Sequence, residues 1–248
     1  MDLRDRIALV TGGGTGLGHA IAIELGRRGA SVAVNYSTSR EAAAGTVAKL
    51  EALGVAAIAV QADVSAPQGP AELVAEVEKA LGLVELLVNN AGVTRGIPIE
   101  DIASVRHDDW QSMLGVNVIG AFHCAQAALP SMIERGEGAI LNVASIAPYV
   151  ATGSSIPYVV SKAGLISLTE CLSKALPVSV RVNAVAPGWM HTPWLERNLH
   201  PELLAQVKSG ELPSVAVDDV ARASVELLAN DAVNGETLIL DGGDRWKA

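Results

Sequence analysis

A glycine-rich stretch that follows a short apolar run limits the fold of this chain more strongly than any other feature. The run Ile7–Val10 is typical of a buried strand, and a helical pattern begins near Gly16. A strand that turns sharply into a helix leaves backbone N–H groups and the positive helix end facing outward. Pyrophosphate binds well there, and glycines allow it to approach the backbone closely. The spacing is Gly12-x-x-x-Gly16-x-Gly18 rather than the strict G-x-G-x-x-G. The stretch favours dinucleotide binding, although glycine-rich turns also close strands for purely structural reasons.

Length and composition favour a single α/β domain with a buried sheet. The chain has 248 residues, enough for one large domain with a sizeable core. Half of the residues are hydrophobic, but they include only one Phe and three Tyr, so the core must consist mainly of Val, Ala, Leu and Ile. Such a core suits a parallel sheet that is covered by helices on both faces. No repeat, linker or change in composition divides residues 1–248 into further domains.

Charge and cysteine content argue against several classes of function. The formal net charge of −9 is unfavourable for nucleic acid or an anionic membrane surface as a partner. Cys124 and Cys171 fall in helical patterns without metal-ligand spacing, so we expect buried thiols of a reducing compartment and no metal site. The charged residues 1–6 lead directly into a strand, which indicates no signal peptide, and no apolar run approaches membrane-spanning length. We therefore expect a cytoplasmic protein that acts on small molecules.

The end of the second predicted strand, at residues 31–35, bears on which dinucleotide would bind. In folds of this kind the adenosine ribose lies beside that strand, where an acidic side chain binds the free 2′-hydroxyl of NAD. Here Tyr36 and Ser37 begin a hydroxyl-rich segment that leads to Arg40, and no acidic residue occurs before Glu41. These residues favour NADP(H) and leave NAD(H) possible, although a polar turn before a helix would explain them almost as well.

Polar residues also follow the next three predicted strands. Asp63-Val64 follows the third strand, and Asn89-Asn90-Ala91-Gly92 follows the fourth. Each of these sequences could be an ordinary turn. The fifth strand ends just before Ser145, whose hydroxyl could hold a substrate oxygen by a hydrogen bond. The carboxyl ends of parallel strands meet at one edge of a sheet, so we expect these residues to share a site.

Two long helical patterns carry the remaining candidates. Asn117 lies among apolar neighbours in a helix predicted over 108–135, where a buried amide must find hydrogen-bond partners. Tyr158 and Lys162 are four residues apart and share one face of a helix. This helix is predicted to begin at Tyr158, after a loop over 146–157, and to lead to a strand over 178–185. At about 4 Å and an effective dielectric constant near 20, an ammonium favours the phenolate by up to about 4 kcal/mol and lowers its pKa by roughly three units. Tyr158 could then exchange a proton near neutral pH, although a single Tyr-x-x-x-Lys pair is usually a solvated helix face.

In their order along the chain, these motifs resemble those of the short-chain dehydrogenase/reductase family. The resemblance extends from Ile7 to Gly243. Its five signatures are the glycine stretch, Asn89–Gly92, the set Asn117, Ser145, Tyr158 and Lys162, the pair Pro187-Gly188, and Asp241–Gly243. Five ordered matches are far more specific than any one of them. The resemblance implies a Rossmann fold, with a doubly wound parallel sheet of seven strands, helices on both faces and a site at the strand carboxyl ends.

The resemblance also implies roles for individual residues. Tyr158 would exchange a proton with the substrate oxygen while a hydride passes between the nicotinamide and the carbonyl carbon. Lys162 would lower the pKa of Tyr158 and hold the nicotinamide ribose, and Ser145 would orient the oxygen. Asn117 would anchor a relay water at a distortion of its helix. His191 is interpreted as a loop residue. The implied dinucleotide-binding residues are Gly12, Gly14, Thr15, Gly16, Leu17, Gly18, Tyr36, Ser37, Asp63, Val64, Asn90, Ala91, Gly92, Tyr158, Lys162, Pro187, Gly188, Met190 and Thr192.

A family member would interconvert a ketone and a secondary alcohol and would form a homotetramer or homodimer through its two longest helices. The predicted pocket segments are 93–97, 146–156 and 189–199, and residues 193–209 would form a lid over the substrate. These segments are mostly apolar and contain few charges. They favour an uncharged or hydrophobic ketone or alcohol as the small-molecule substrate.

Two alternative functions remain open at this point. Thr94-Arg95 and Lys174 resemble basic positions of the 3-oxoacyl-(acyl-carrier-protein) reductases, but Glu100-Asp101 beside the entrance would oppose docking of an acidic carrier. The other alternative is a regulatory protein that binds NADP without turnover. Such proteins usually lack the Tyr or the Lys of the catalytic set, and both are present here.

Overall fold

The computed structural model describes residues 1–243, and these form one parallel sheet of seven strands. The strands are β1 (Ile7–Val10), β2 (Ser31–Tyr36), β3 (Ala57–Gln61), β4 (Leu86–Asn89), β5 (Gly138–Val143), β6 (Val180–Pro187) and β7 (Thr237–Leu240). Their order is β3-β2-β1-β4-β5-β6-β7, and each neighbouring pair is parallel. The chain winds outward in one direction from β1 and in the other from β4. This arrangement confirms the predicted doubly wound fold.

Helices cover both faces of the sheet, and the alternation of side chains along each strand fills a core on either side. The helices are α1 (Gly16–Arg27), α2 (Arg40–Ala52), α3 (Gly69–Ala80), α4 (His107–Leu114), α5 (Ala121–Arg135), α6 (Ala147–Val150), α7 (Ile156–Ala175), α8 (Pro193–Asn198), α9 (Pro201–Ser209) and α10 (Val217–Ala229). In β1, Ala8 and Val10 pack with side chains of α1, α2 and α10. Leu9, between them, packs with side chains of α3, α5 and α7 on the opposite face.

A smaller apolar cluster lies outside these two cores. Leu195, Leu199 and Val207 are buried in it, and Trp189 and Trp194 pack against it. It is formed around α8 and α9, which occupy the segment predicted as a lid and are called the lid below. Among the described residues, this cluster has no member in common with the two cores against the sheet. The lid therefore has a hydrophobic core of its own.

Some element boundaries differ from the prediction for local reasons. The helix expected to begin at Tyr158 begins at Ile156, because the Ser155 hydroxyl caps it by accepting from the Tyr158 N–H at 3.4 Å. The segment 146–157, expected to be a loop, contains the short helix α6. The strand expected over 178–185 is β6, which begins at Val180 because the Val180 N–H closes a turn onto Pro177 O.

The helix predicted over 108–135 spans 29 residues, His107–Arg135, and contains a π-helical turn at Gly115–Gly120 between α4 and α5. By length and composition alone, it is the one described helix that could cross a membrane. The expectation that no apolar run approaches that length is therefore wrong. However, 39% of its most apolar window is buried inside the protein, and α5 packs against β4 and β5. This packing accounts for part of the apolar composition of the helix.

The two cysteines lie in different environments. Cys124 is buried in α5, as expected, and burial raises the pKa of its thiol to about 12. Cys171 is exposed, so the expectation that it is buried is wrong. The buried face of α7 includes Leu165, Thr169 and Leu172, and the helical repeat turns Cys171 away from that face. Both thiols are free within the described part of the chain.

A buried carboxylate ties the elements together at the amino-terminal edge of the sheet. Glu85, which is 1% exposed, accepts hydrogen bonds from Arg6 Nη1 at 2.5 Å and from Arg135 Nε at 3.1 Å. Its other oxygen accepts from the Ile7 N–H at 3.1 Å. Burial raises the pKa of Glu85, but the three donors outweigh burial and hold the pKa below its ordinary value of 4.5. This carboxylate links β1, β4 and α5 at the edge opposite the strand carboxyl ends.

Candidate active site

A cleft of about 540 Å³ opens at the carboxyl ends of the strands, between the loops that follow β1 and β4. Doubly wound sheets bind ligands at this switch in winding direction. The predicted site residues that line it are Gly12, Thr15, Gly16, Leu17, Tyr36, Ser37, Asp63, Val64, Asn90, Ala91, Gly92, Ser145, Tyr158, Lys162, Pro187, Gly188, Met190 and Thr192. Gly14, Gly18 and Asn117 were also predicted, but they lie behind the lining. His191 does not line the cleft and is exposed.

Gly14 and Gly18 are required for close packing behind the glycine loop. A Cβ on Gly14 would lie 3.0 Å from the backbone nitrogen of Ala43 in α2. A Cβ on Gly18 would lie 2.3 Å from Asn90 Nδ2 and 2.5 Å from Gly12 O. Both positions therefore support the loop through packing, and neither forms the wall of the cleft.

We expect Gly18→Ala to lower the free energy of unfolding by about 1–3 kcal/mol, the usual cost of overpacking, and to weaken dinucleotide binding because Asn90 and the loop must shift. The matched control is Gly45→Ala in α2, where an added Cβ has nothing within 4 Å. This control should stabilise the protein by about 0.5–1 kcal/mol. Urea unfolding and dinucleotide titration would measure both effects. Equal stability of the two variants would contradict the packing argument.

The loops after β1 and β4 are joined through one threonine hydroxyl. Thr11 Oγ1 accepts hydrogen bonds from the backbone N–H groups of Asn90 and Ala91, both at 3.0 Å, and donates to Val88 O at 3.2 Å. In return, Asn90 Nδ2 donates to Thr11 O at 2.9 Å and to Gly12 O at 3.1 Å. The glycine loop and the Asn89–Gly92 motif therefore form one hydrogen-bonded unit.

One end of the cleft is formed by the loops after β2 and β3. Asn35 is buried there, and its Oδ1 accepts from the Gly12 N–H at 3.3 Å while Nδ2 donates to Ala62 O at 3.1 Å. Asp63 Oδ1 accepts from the backbone and the hydroxyl of Ser65, so this aspartate forms a turn and also lines the cleft. Arg40, to which the hydroxyl-rich segment after Tyr36 leads, is not among the lining residues described.

Ser145, Tyr158 and Lys162 meet in the middle of the cleft. Ser145 follows β5, whereas Tyr158 and Lys162 lie one turn apart on α7. Lys162 is 4% exposed, and its Nζ lies 5.8 Å from the centroid of the Tyr158 ring and donates to Val143 O at 2.7 Å. The ammonium is therefore attached to the end of β5 beside the phenol.

Asn117 supports the site from within the π-helical turn. Its Oδ1 accepts from the Val93 N–H at 2.8 Å, and its Nδ2 donates to Val93 O at 3.1 Å and to Ser161 Oγ at 2.9 Å. Ser161 Oγ in turn donates to the Tyr158 carbonyl at 2.8 Å. The predicted helix distortion is therefore present, and the amide links the loop after β4 to the helix that carries Tyr158. The predicted relay water stays a prediction.

The other end of the cleft is formed by the last residue of β6, Pro187, and by the segment after it, which includes Gly188, Met190 and Thr192. Thr192 faces the glycine loop, since a Cβ on Gly16 would lie 3.6 Å from its Cγ2. The Thr192 hydroxyl also caps α8 by accepting from the Leu195 N–H at 3.3 Å. This residue therefore joins the cleft to the lid.

A sequence profile of the family described as short chain dehydrogenase matches residues 6–202. The chain belongs to the short-chain dehydrogenase/reductase family. It is 38% identical over 240 residues to a putative ketoacyl reductase of the granaticin polyketide synthase of Streptomyces violaceoruber, covering 96% of this chain and 95% of that protein. It is 35% identical over 243 residues to the 3-oxoacyl-(acyl-carrier-protein) reductase of Staphylococcus aureus, covering 95% and 96%. The crystal structure of a short chain dehydrogenase from Burkholderia cenocepacia in complex with NADP superposes with a TM-score of 0.87, at 35% identity and over 98% of this chain and 99% of that one.

In this short-chain dehydrogenase, burial determines how Tyr158 and Lys162 ionise. Burial raises the pKa of Tyr158 to about 12, against a smaller opposing effect of a hydrogen bond with Ser145. Burial also lowers the pKa of Lys162 to about 8. The lowered pKa predicted for Tyr158 is therefore not found in this structure, because lost solvation is the largest effect on the phenol. The phenol is protonated at neutral pH and can donate its proton.

Three residues of this family member make contacts around the cleft that their sequence context did not indicate. Thr11 comes just before the first glycine of the glycine stretch, and its hydroxyl joins two loops. Trp194 was one apolar residue of the lid, but its ring centroid lies 6.0 Å from that of Tyr158, with the planes inclined by 43°. Gly96 lies in a loop without a recognisable motif and contacts the lid backbone. No pattern in a single sequence indicates contacts of this last kind.

Proposed function

We propose that this oxidoreductase reduces an uncharged, largely apolar ketone to a secondary alcohol, with the reverse reaction favoured at higher pH. The observation that carries this proposal is Tyr158, held beside Ser145 with a pKa of about 12 and therefore protonated at neutral pH. Two neighbouring hydroxyl groups in one cleft can hold a carbonyl oxygen, and one of them can donate a proton to it as negative charge develops. That is the protein's part in ketone reduction.

The residues along the cleft fit a nicotinamide dinucleotide, and we infer that NADP(H) is preferred over NAD(H). The hydroxyl-bearing residues 36–39, of which the first ends β2, include no acidic residue, which suits a 2′-phosphate. Gly12 and Gly16 have φ values of 61° and 54°, which only glycine adopts readily and which turn the loop sharply into α1. When bound, the dinucleotide supplies the hydride for the carbonyl carbon. The NADP complex of the similar Burkholderia protein supports the preference.

Each residue of the catalytic set has a separate task in the proposed reaction. Ser145 holds the substrate oxygen by a hydrogen bond, and Tyr158 donates a proton to it. Lys162, fixed on Val143 O, supplies a positive charge near the phenol and the proposed ribose position. Asn117 keeps Val93 and Ser161 in place around Tyr158. The alcohol is oxidised only by the phenolate, so the rate of oxidation should rise with pH.

The lining of the cleft favours an uncharged substrate. Within the described lining, Asp63 and Lys162 are the only side chains of a charged type, and Asp63 lies at the end near β3. The substrate end is walled by apolar side chains, including Ile146, Val150 and Leu199. Apolar walls with a few convergent polar groups are typical of sites for small hydrophobic molecules.

A second candidate is the reduction of 3-oxoacyl thioesters on an acidic carrier protein, which the names of the two similar proteins favour. Docking of such a carrier requires free basic side chains near the cleft. Arg95, two residues after Val93 in the lining, is already paired with other groups. Its Nη2 lies 3.2 Å from Asp109 Oδ2 and donates to Ser104 O at 2.7 Å. We therefore rank a free ketone above a carrier-bound thioester.

The test compares NADPH and NADH oxidation with aromatic ketones, aliphatic ketones and 3-oxoacyl thioesters, the last both free and attached to a carrier protein. We expect turnover of simple apolar ketones, with a higher kcat/KM for NADPH. Turnover confined to thioesters would favour the second candidate. NADPH binding without turnover of any carbonyl compound would indicate a regulatory protein and contradict the proposal.

We also propose that two or more copies associate through the helix His107–Arg135 and α7. Ile119, Phe122 and Ile133 are exposed on the first of these and Val160 on the second, and apolar side chains exposed in this way favour association. Light scattering would distinguish a monomer from the proposed homodimer or homotetramer.

A cytoplasmic location is part of the same proposal and is supported by the free thiols of Cys124 and Cys171.

A further inference from the structure

The lid contacts the body of the protein at a glycine, main chain to main chain. A Cβ on Gly96 would lie 2.7 Å from Asn198 O, 3.0 Å from His200 N and 3.2 Å from the carbonyl carbon of Leu199. All three are backbone atoms at the junction between α8 and α9. Gly96 does not have a positive φ, so other residues could adopt its conformation. The close contact with the lid is what requires a glycine here.

The loop that carries Gly96 is held firmly on its other side. Thr94 Oγ1 and Ser154 Oγ share a hydrogen bond of 2.6 Å, and the Ile97 N–H donates to Ser154 O at 2.7 Å. Ser154 is buried between β5 and α7, close in sequence to the cap of the helix that carries Tyr158. The loop therefore provides a fixed support on which the end of α8 rests.

This support determines where Trp194 lies. The helix α8 is only six residues long, is capped at its start by Thr192 and contacts Gly96 just beyond its end. Leu195 and Leu199 are buried, so the helix has little freedom to rotate. With both ends held, Trp194 lies against Tyr158, at 6.0 Å between ring centroids. The indole therefore occupies the space on one side of the proton donor.

We propose that Gly96 is a positioning residue, which holds α8 so that Trp194 closes one side of the substrate site, and that the substrate is a ketone with one small substituent. A carbonyl oxygen held by Tyr158 and Ser145 directs its two substituents to opposite sides. The side filled by Trp194 accommodates a group about the size of a methyl, and the larger substituent lies along the other, apolar wall. This inference rests on the proposed ketone reduction.

The experiment uses acetophenone and butyrophenone, which differ only in the size of the second substituent. We expect the wild-type protein to prefer acetophenone. Trp194→Ala should raise the ratio of kcat/KM for butyrophenone to that for acetophenone by about tenfold or more, the scale of discrimination in apolar pockets. Gly96→Ala must displace the lid, so it should raise the KM for acetophenone and shift the ratio in the same direction, with an unchanged dissociation constant for NADPH.

Matched controls separate this effect from general damage. Trp110→Ala removes an indole that does not line the cleft, and Gly45→Ala adds a methyl group in open space. Both should leave the ratio unchanged.

If wild type reduces both ketones and Trp194→Ala changes the ratio by less than about twofold, the inference is wrong and the proposed function stands. If Gly96→Ala folds and has the KM and the ratio of the wild type, Gly96 is not a positioning residue. Failure of wild type to reduce any ketone would overturn both proposals.

Discussion

Tyr158→Phe should lower kcat for ketone reduction about a thousandfold, while the dissociation constant for NADPH stays the same. Phenylalanine keeps the ring that packs against Trp194 but lacks the hydroxyl that donates the proton. Among residues 1–243, no other group is placed to replace it, since Lys162 donates to Val143 O and Ser145 serves as the second contact for the substrate oxygen. NADPH consumption measures kcat, and fluorescence titration measures binding.

The control for this variant is Tyr149→Phe. Tyr149 lies in α6, is 45% exposed and does not line the cleft. The same loss of a hydroxyl there should leave kcat within a small factor of wild type. Full activity of Tyr158→Phe would contradict the proposed mechanism. If binding of NADPH were lost together with turnover, Tyr158 would hold the cofactor and its assignment as the proton donor would lose its support.

Glu85→Ala should lower the free energy of unfolding by about 3 kcal/mol, the lower part of the range for breaking a buried ion pair. The carboxylate is 1% exposed, and its removal leaves the Ile7 N–H and two guanidinium groups without their shared acceptor. We choose the lower value because both arginines are partly exposed and can be solvated by water. Urea unfolding at pH 7 measures the effect. A decrease in the free energy of unfolding below about 1 kcal/mol would show that the network stabilises the protein no more than a surface ion pair does.

The pH dependence of the same variant has a definite sign. The pKa of Glu85 is depressed in the folded protein, so its contribution is fully present above the unfolded value near 4.5 and is lost as pH falls through the folded pKa. The stability difference between wild type and Glu85→Ala should therefore shrink below about pH 4.5. Glu226→Ala is the control, because Glu226 pairs with Arg28 at an exposed position. Its effect should stay below about 1 kcal/mol.

The sequence was sufficient to predict the fold and most of the cleft. Short apolar runs rich in Val, Leu and Ala, alternating with helical patterns, predict a parallel sheet. The segments that follow parallel strands lie together at the carboxyl edge of the sheet. Residues as distant as Thr15, Ser145 and Thr192 therefore had to meet, and they line one cleft. Their assignment to catalysis and cofactor binding stays a prediction that the variants above would test.

What the sequence could not supply depends on three-dimensional packing. The lowered pKa predicted for Tyr158 rested on one nearby positive charge. Burial raises this pKa instead, and burial is not visible in a sequence. The close contacts of Gly14 with Ala43 and of Gly18 with Asn90 could not be predicted from the sequence, which assigned both glycines to the cofactor. Cys171 was expected inside because a helical pattern does not reveal which face is covered. The contact between Gly96 and the lid joins segments about a hundred residues apart with no signature in either.

The separate core of the lid has an evolutionary consequence. Leu195, Leu199 and Val207 are packed among themselves and with nearby lid residues, without sharing members with the cores against the sheet in the described chain. Mutations can therefore accumulate in α8 and α9 at little cost to the folding of the sheet. Descendants of such a protein could acquire a different lid, and with it new substrates, while the catalytic residues stay the same. The same independence makes the lid the natural segment to randomise in a directed-evolution library.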